Sequence, residues 1–164
     1  MLIGNLESKS RIYGHAPLGC VFLINNGIYI IKKVNGCELK ILLGEDWTRV
    51  ISAKVQQWVL EYRRATWGRA IAILETDSSL SIILEKLNRF HNFVEAICQV
   101  QSRWVLVDKQ QAVNLSIMVE ELVIPVYRDT IDMLKATEAV GVSYVRPEDV
   151  KSRIQRLFKA MAKS

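Results

Sequence analysis

What this sequence has little of narrows the reading first. In 164 residues there are three cysteines, Cys20, Cys37 and Cys98. The number is odd and no two stand at C-x-x-C or Cys/His spacing, so neither a disulfide framework nor a zinc site is expected, and three free thiols suit a reducing compartment. The two histidines, His15 and His91, sit in no metal-ligand or triad pattern. The eight glycines are scattered, and the absence of G-x-G-x-x-G and Walker patterns removes the usual phosphate loops. No apolar run approaches the roughly 18 residues that cross a bilayer, and the Met-Leu-Ile-Gly start has no basic region followed by a long apolar one, as a signal peptide would. These absences predict a cytoplasmic chain with no membrane span, no cofactor and no bound metal. Pro/Gly/Ser-rich tracts and blocks of like charge are missing too, which leaves no linker and predicts a single domain over 1–164.

What is present is an apolar half and an uneven charge. The net charge is +5, and residues 146–164 carry six Lys/Arg against two Asp/Glu, so +4 of it lies in the last segment. The body is neutral and the tail is basic.

The stretch 69–107 sets the expected fold. Arg69 to Glu75 and Arg103 to Asp108 are short apolar runs flanking a long amphipathic segment, the pattern of a β-α-β unit. Upstream, Asn25-Asn26-Gly27 and Asn35-Gly36 lie between apolar runs, and Asn-Gly is the strongest short hairpin signal because type I′ turns need positive φ. The expectation is a three-stranded antiparallel meander over 20–43 (strands 20–24, 28–34 and 37–43), with a helix over 46–66 that stops near Gly68. Asp77 or Ser78 would cap the middle helix, whose apolar residues on several sides predict burial on several sides. A helical part over 109–163 follows, broken or sharply kinked at Pro125, with Pro147 opening a last amphipathic helix. The fold class expected is α+β.

The most charged candidate surface is that last helix, where Lys151, Arg153, Arg156, Lys159 and Lys163 surround an apolar stripe. Such cations can neutralise phosphates or meet an acidic protein or membrane surface. Arg63, Arg64, Trp67 and Arg69 form a second basic-aromatic group, with Trp67 the indole expected to meet a partner. In the third predicted strand, Glu38-Leu39-Lys40 puts an acid and a lysine on one face. This acid-x-Lys pair resembles one fragment of the metal-dependent nucleases of the restriction-endonuclease-like class, which implies Mg²⁺ held by Glu38 and a water polarised beside Lys40. That pattern also needs an aspartate from the preceding strand, and no Asp occurs before Asp46. The function expected is therefore a non-enzymatic regulatory or assembly module acting through protein contacts, self-associating into a homo-oligomer. The alternatives are a nucleic-acid-binding protein using the basic C-terminal helix, and a nuclease with an incomplete site.

Overall fold

A computed structural model describes residues 2–75 and 79–161, the last four of these as backbone only. Helix α1 spans Leu2–Ser10 and is followed by a 3-10 turn at Arg11–Tyr13. Then come α2 (Ala16–Asn35), α3 (Leu39–Leu74), α4 (Leu80–Gln101), α5 (Lys109–Ala136) and α6 (Pro147–Met161). Among the described residues there is no strand, so the expected α+β class, with its meander over 20–43 and its β-α-β unit over 69–107, is corrected to an all-helical fold.

The physical reason is visible in which residues are buried. In α2 these are Gly19, Cys20, Val21, Leu23, Ile24, Gly27 and Val34, the i, i+3, i+4, i+7 stripe of a helix with a glycine as one of its members. Gly27 marks close helix packing instead of a turn. A Cβ built on it would lie 2.5 Å from Cγ2 of Val55 and 3.0 Å from Cζ3 of Trp58, both on α3. Asn26 stays inside the helix by donating from Nδ2 to the Phe22 carbonyl at 2.8 Å. The second Asn-Gly is a helix end, where the Gly36 N–H donates to the Lys32 carbonyl at 3.1 Å.

Of residues 69–75, expected as a strand, 69–74 form the last turns of α3 and Glu75 follows its end. Trp67, Ala70, Ile71 and Leu74 are buried and Ala72 is exposed, a helical repeat too short for periodicity alone to separate from a buried strand. Gly68 does not end the helix. The interruption in α3 falls instead at Gly44, where φ 74° and ψ 168° suit a residue without a Cβ. Residues 104–108 are an irregular connection anchored by the fully buried Leu106, and Val105 and Val107 flank it on the outside. Asp108 closes this connection by capping α5, its Oδ1 accepting from the Gln111 N–H at 2.8 Å.

Of the break or sharp kink expected at Pro125, the break is overturned. Helix α5 runs through it, although an interior proline costs about 3 kcal/mol. The residues on either side, Val119, Val123, Ile124, Tyr127 and Ile131, are buried, and that burial holds the helix across the missing N–H donor. The expected Asp77 or Ser78 cap of α4 lies outside the described residues. Helix α4 buries one stripe (Ile83, Leu87, Phe90, Val94 and Ile97) and leaves Ile82, Leu84 and Val100 exposed.

The chain divides into two compact units, Met1–Ala65 and Thr66–Ser164. In the first, α1, α2 and the early part of α3 enclose Val21, Ile24, Ile51, Val55, Trp58 and Tyr62. An ion pair from Lys54 Nζ to Glu7 Oε1 at 3.2 Å joins α3 to α1. In the second, the end of α3 and helices α4 to α6 enclose Trp67, Phe90, Leu115, Tyr127 and Ile154. Within that unit Gln101 Nε2 donates to Thr66 Oγ1 at 3.3 Å.

Candidate functional site

Helix α6 begins at Pro147 with Glu148 and Asp149 in its first turn, where acids meet the positive end of the helix dipole. Its inner side is Val150, Ile154 and Leu157, all buried. With that side turned inward, Arg153 and Arg156, three residues apart, share a flank. Arg153 is half-buried and Arg156 exposed. Across from them stand Glu95 and Cys98 of α4 and Ser102, the residue that follows its last turn. Together with Leu157 these residues line a recess of about 310 Å³.

The chemistry of the recess follows from its depth. Burial raises the pKa of the Cys98 thiol, and the Glu95 carboxylate raises it further, while Arg153 and Arg156 pull it down. Cys98 is thus a neutral thiol that feels both guanidiniums. The Arg156 Nε–H donates back to the Ser152 carbonyl at 3.4 Å. Among the described residues no carboxylate is within ion-pairing distance of Arg153 or Arg156.

Next to this recess is a polar tie. Tyr127 donates its hydroxyl proton to the Val145 carbonyl at 2.7 Å, and the same oxygen lies 3.0 Å from His91 Nε2. With the tyrosine proton committed to Val145, the His91 Nε2–H is the donor to Tyr127 and Nδ1 is left as an acceptor. That Nδ1 is buried with no hydrogen-bond partner among the described residues. Burial lowers the His91 pKa and the nearby Arg153 lowers it further, so the neutral ring is favoured. The Tyr127 phenol is pushed up to about 12, chiefly by burial, and remains a donor. The tie joins α4, α5 and the segment before α6.

The structure distributes the residues singled out in the sequence. Lys151 is exposed and pairs with Glu120 at 3.4 Å. Lys163 and the Lys159 side chain lie outside the described residues. Arg63 is half-buried and Arg64 exposed, both in the first unit, and Arg69 is exposed in the second, its guanidinium 5.8 Å from the centre of the Phe93 ring. Trp67 has no exposed surface, so its indole is part of the core and cannot meet a partner in this conformation. Glu38 precedes α3 and Lys40 is its second residue. The strand that would put both on one face is absent, and on a helix residues two apart do not face each other. Among the described residues no three His, Cys, Asp or Glu side chains gather as a metal site.

Sequence reading missed Glu95, Cys98, Ser102 and the His91–Tyr127 tie. The i, i+3, i+7 spacing of the first three was available, but nothing in a single sequence says which helix stands opposite Arg153.

Comparison with known proteins identifies the fold. The family described as the C-terminal part of the Exo70 exocyst complex subunit matches residues 1–156. The chain is 35% identical to exocyst complex component EXO70B1 of Arabidopsis thaliana over 171 aligned residues, covering 97% of this chain and 27% of that protein. It is 36% identical to EXO70B2 of the same plant, covering 97% and 28%. Human exocyst complex component 7 is 28% identical over 122 residues, covering 65% of this chain and 17% of the human protein. The chain spans about a quarter of the length of the plant relatives. With a family match over nearly its whole length and an all-helical fold, the chain belongs to the Exo70 exocyst subunit family.

Proposed function

We propose that this chain is a non-enzymatic contact module that takes part in an exocyst assembly through protein-protein contacts. The match over residues 1–156 to a family of exocyst subunits carries this reading. The side chains proposed for contact are cationic: Arg63, Arg64, Arg69, Lys151, Arg153, Arg156, Lys159 and Lys163, with acidic protein as their partner. Steering by such charges acts mainly on the association rate. Self-association is the finer part of the proposal. Its candidate surface is the start of α3, where Leu39, Ile41, Leu42 and Leu43 are exposed, a run of apolar residues suited to contact. The nucleic-acid alternative draws less support, since Lys151 is paired with Glu120 and α6 carries Glu148 and Asp149.

The test is affinity purification of the tagged chain from cells that contain an exocyst, with and without nuclease. Other exocyst subunits are expected to co-purify in both cases. Retention of nucleic acid alone, or loss of every subunit on nuclease treatment, would refute the protein-contact reading. Sedimentation at micromolar concentration tests self-association, and a clean monomer would remove that part.

A further inference from the structure

The recess lined by Glu95, Cys98, Ser102, Arg153, Arg156 and Leu157 contains two guanidiniums that no carboxylate among the described residues pairs with. Of the two, Arg153 is half-buried. Taking a guanidinium partly out of water is unfavourable unless an anion or hydrogen bonds replace the solvent. Elsewhere the fold supplies that anion: Lys54 has Glu7 and Lys151 has Glu120. In this recess Glu95 is the acid among the lining residues, and among the described residues no carboxylate pairs with either arginine.

We propose that the recess is a binding site for a phosphorylated serine or threonine side chain of a protein partner, with Arg153 and Arg156 as the phosphate clamp. Two guanidinium forks on one helix flank match the geometry and the charge, about −1.5 to −2, of a phosphate monoester. The volume, about 310 Å³, accommodates one modified side chain with its adjoining backbone. Glu95 on the rim selects among anions. It repels any anion in the recess, but it can accept an N–H from the peptide beside the phosphate, a contact that a phosphoinositide headgroup or a nucleic-acid backbone does not offer. The neutral Cys98 thiol and Leu157 form the wall against the β-carbon of the ligand. This inference deepens the protein-contact reading, because Arg153 and Arg156 are among the contact residues proposed there.

The test is a titration of the isotopically labelled 164-residue chain, following the arginine Nε–H signals by NMR. Three probes are compared: a short glycine-alanine peptide with a central phosphoserine, the same peptide unphosphorylated, and phosphatidylcholine vesicles containing a phosphatidylinositol phosphate. The phosphopeptide is expected to move the Arg153 and Arg156 signals saturably with a Kd of about 1 mM or below, and the unphosphorylated peptide to move neither. The double variant Arg153→Gln/Arg156→Gln should weaken binding at least about tenfold, as loss of charge-assisted bonds implies, with helix content unchanged by circular dichroism. Glu95→Gln should favour vesicle binding over peptide binding relative to the unmodified chain. Equal response to both peptides, shifts spread over surface cations without preference for Arg153 and Arg156, or preference for vesicles over phosphopeptide would each overturn the proposal. If the double variant does not fold, the unmodified chain's shift map decides. Failure here with exocyst subunits still co-purifying would sink the phosphate site and leave the contact reading standing.

Discussion

Around Gly27, α2 approaches α3 so closely that an added Cβ would sit 2.5 Å from Val55 Cγ2. Around Tyr127, by contrast, α4, α5 and the segment before α6 meet through one hydroxyl that donates to Val145 and faces His91. The first contact depends on the absence of atoms and the second on their presence. In close-packed apolar surroundings a single extra carbon must displace its neighbours. In a buried polar tie, size is forgiving and a missing partner is not, because the group left behind has lost its water as well. The two units of this chain should therefore fail under opposite kinds of substitution.

Four predictions would break or sharpen that contrast. The largest effect is expected for Gly27→Val, destabilising by about 2–3 kcal/mol through overpacking and measured by urea unfolding. Gly27→Ala should be milder, since alanine recovers about 1 kcal/mol of helix propensity. Combining it with Val55→Ala should cost less than the sum of the two single changes, as expected of residues in contact. A neutral Gly27→Val would show that α2 and α3 are not held this closely.

Tyr127→Phe comes next, at about 1–2 kcal/mol, because it keeps the ring but leaves the Val145 carbonyl and His91 Nε2 without their partner. The same unfolding measurement checks it, and a change below a few tenths would contradict the polar tie. Asp108→Ala removes the side-chain cap on α5 and should cost about 1 kcal/mol, whereas Asp108→Asn should restore most of it. The smallest effect is a pH dependence. The His91 pKa is lowered in the fold from its ordinary 6.5, so its contribution is present above that value and is lost as pH falls through 6.5 toward the lowered folded pKa. Thermal melts at pH 7.5 and 5.5 should show lower stability in acid, and His91→Gln should reduce that difference. An unchanged difference in the variant would place the pH dependence elsewhere.

The same contrast explains what could be read in advance. Helix α6 was legible from Pro147 with its following acids and from the strong two-sided division of Val150, Ile154 and Leu157 against Lys and Arg. Helix α4 was legible as a helix, but its burial, expected on several sides, falls on one stripe. What misled was glycine and short apolar runs. Asn-Gly at 26–27 has the local chemistry of a turn, and only Val55 and Trp58, some thirty residues away, turn it into a packing contact. Ala70, Ile71 and Leu74 fit a strand or the end of a helix equally well, and the choice rests on continuity with Trp67, which is buried in the same helix. The cations of the candidate site were found by charge, but their grouping depends on tertiary structure. Lys151 is answered by Glu120 on another helix and Arg153 is answered by no acid among the described residues.

Direct binding of the 164-residue chain to purified exocyst subunits, followed by calorimetry at low and high salt, tests the central claim that this is a protein-contact module. At least one subunit should bind with a defined stoichiometry, and binding should weaken with salt and on replacing Arg153 and Arg156 by glutamine. Failure to bind any subunit by a chain whose circular dichroism is fully helical would contradict it.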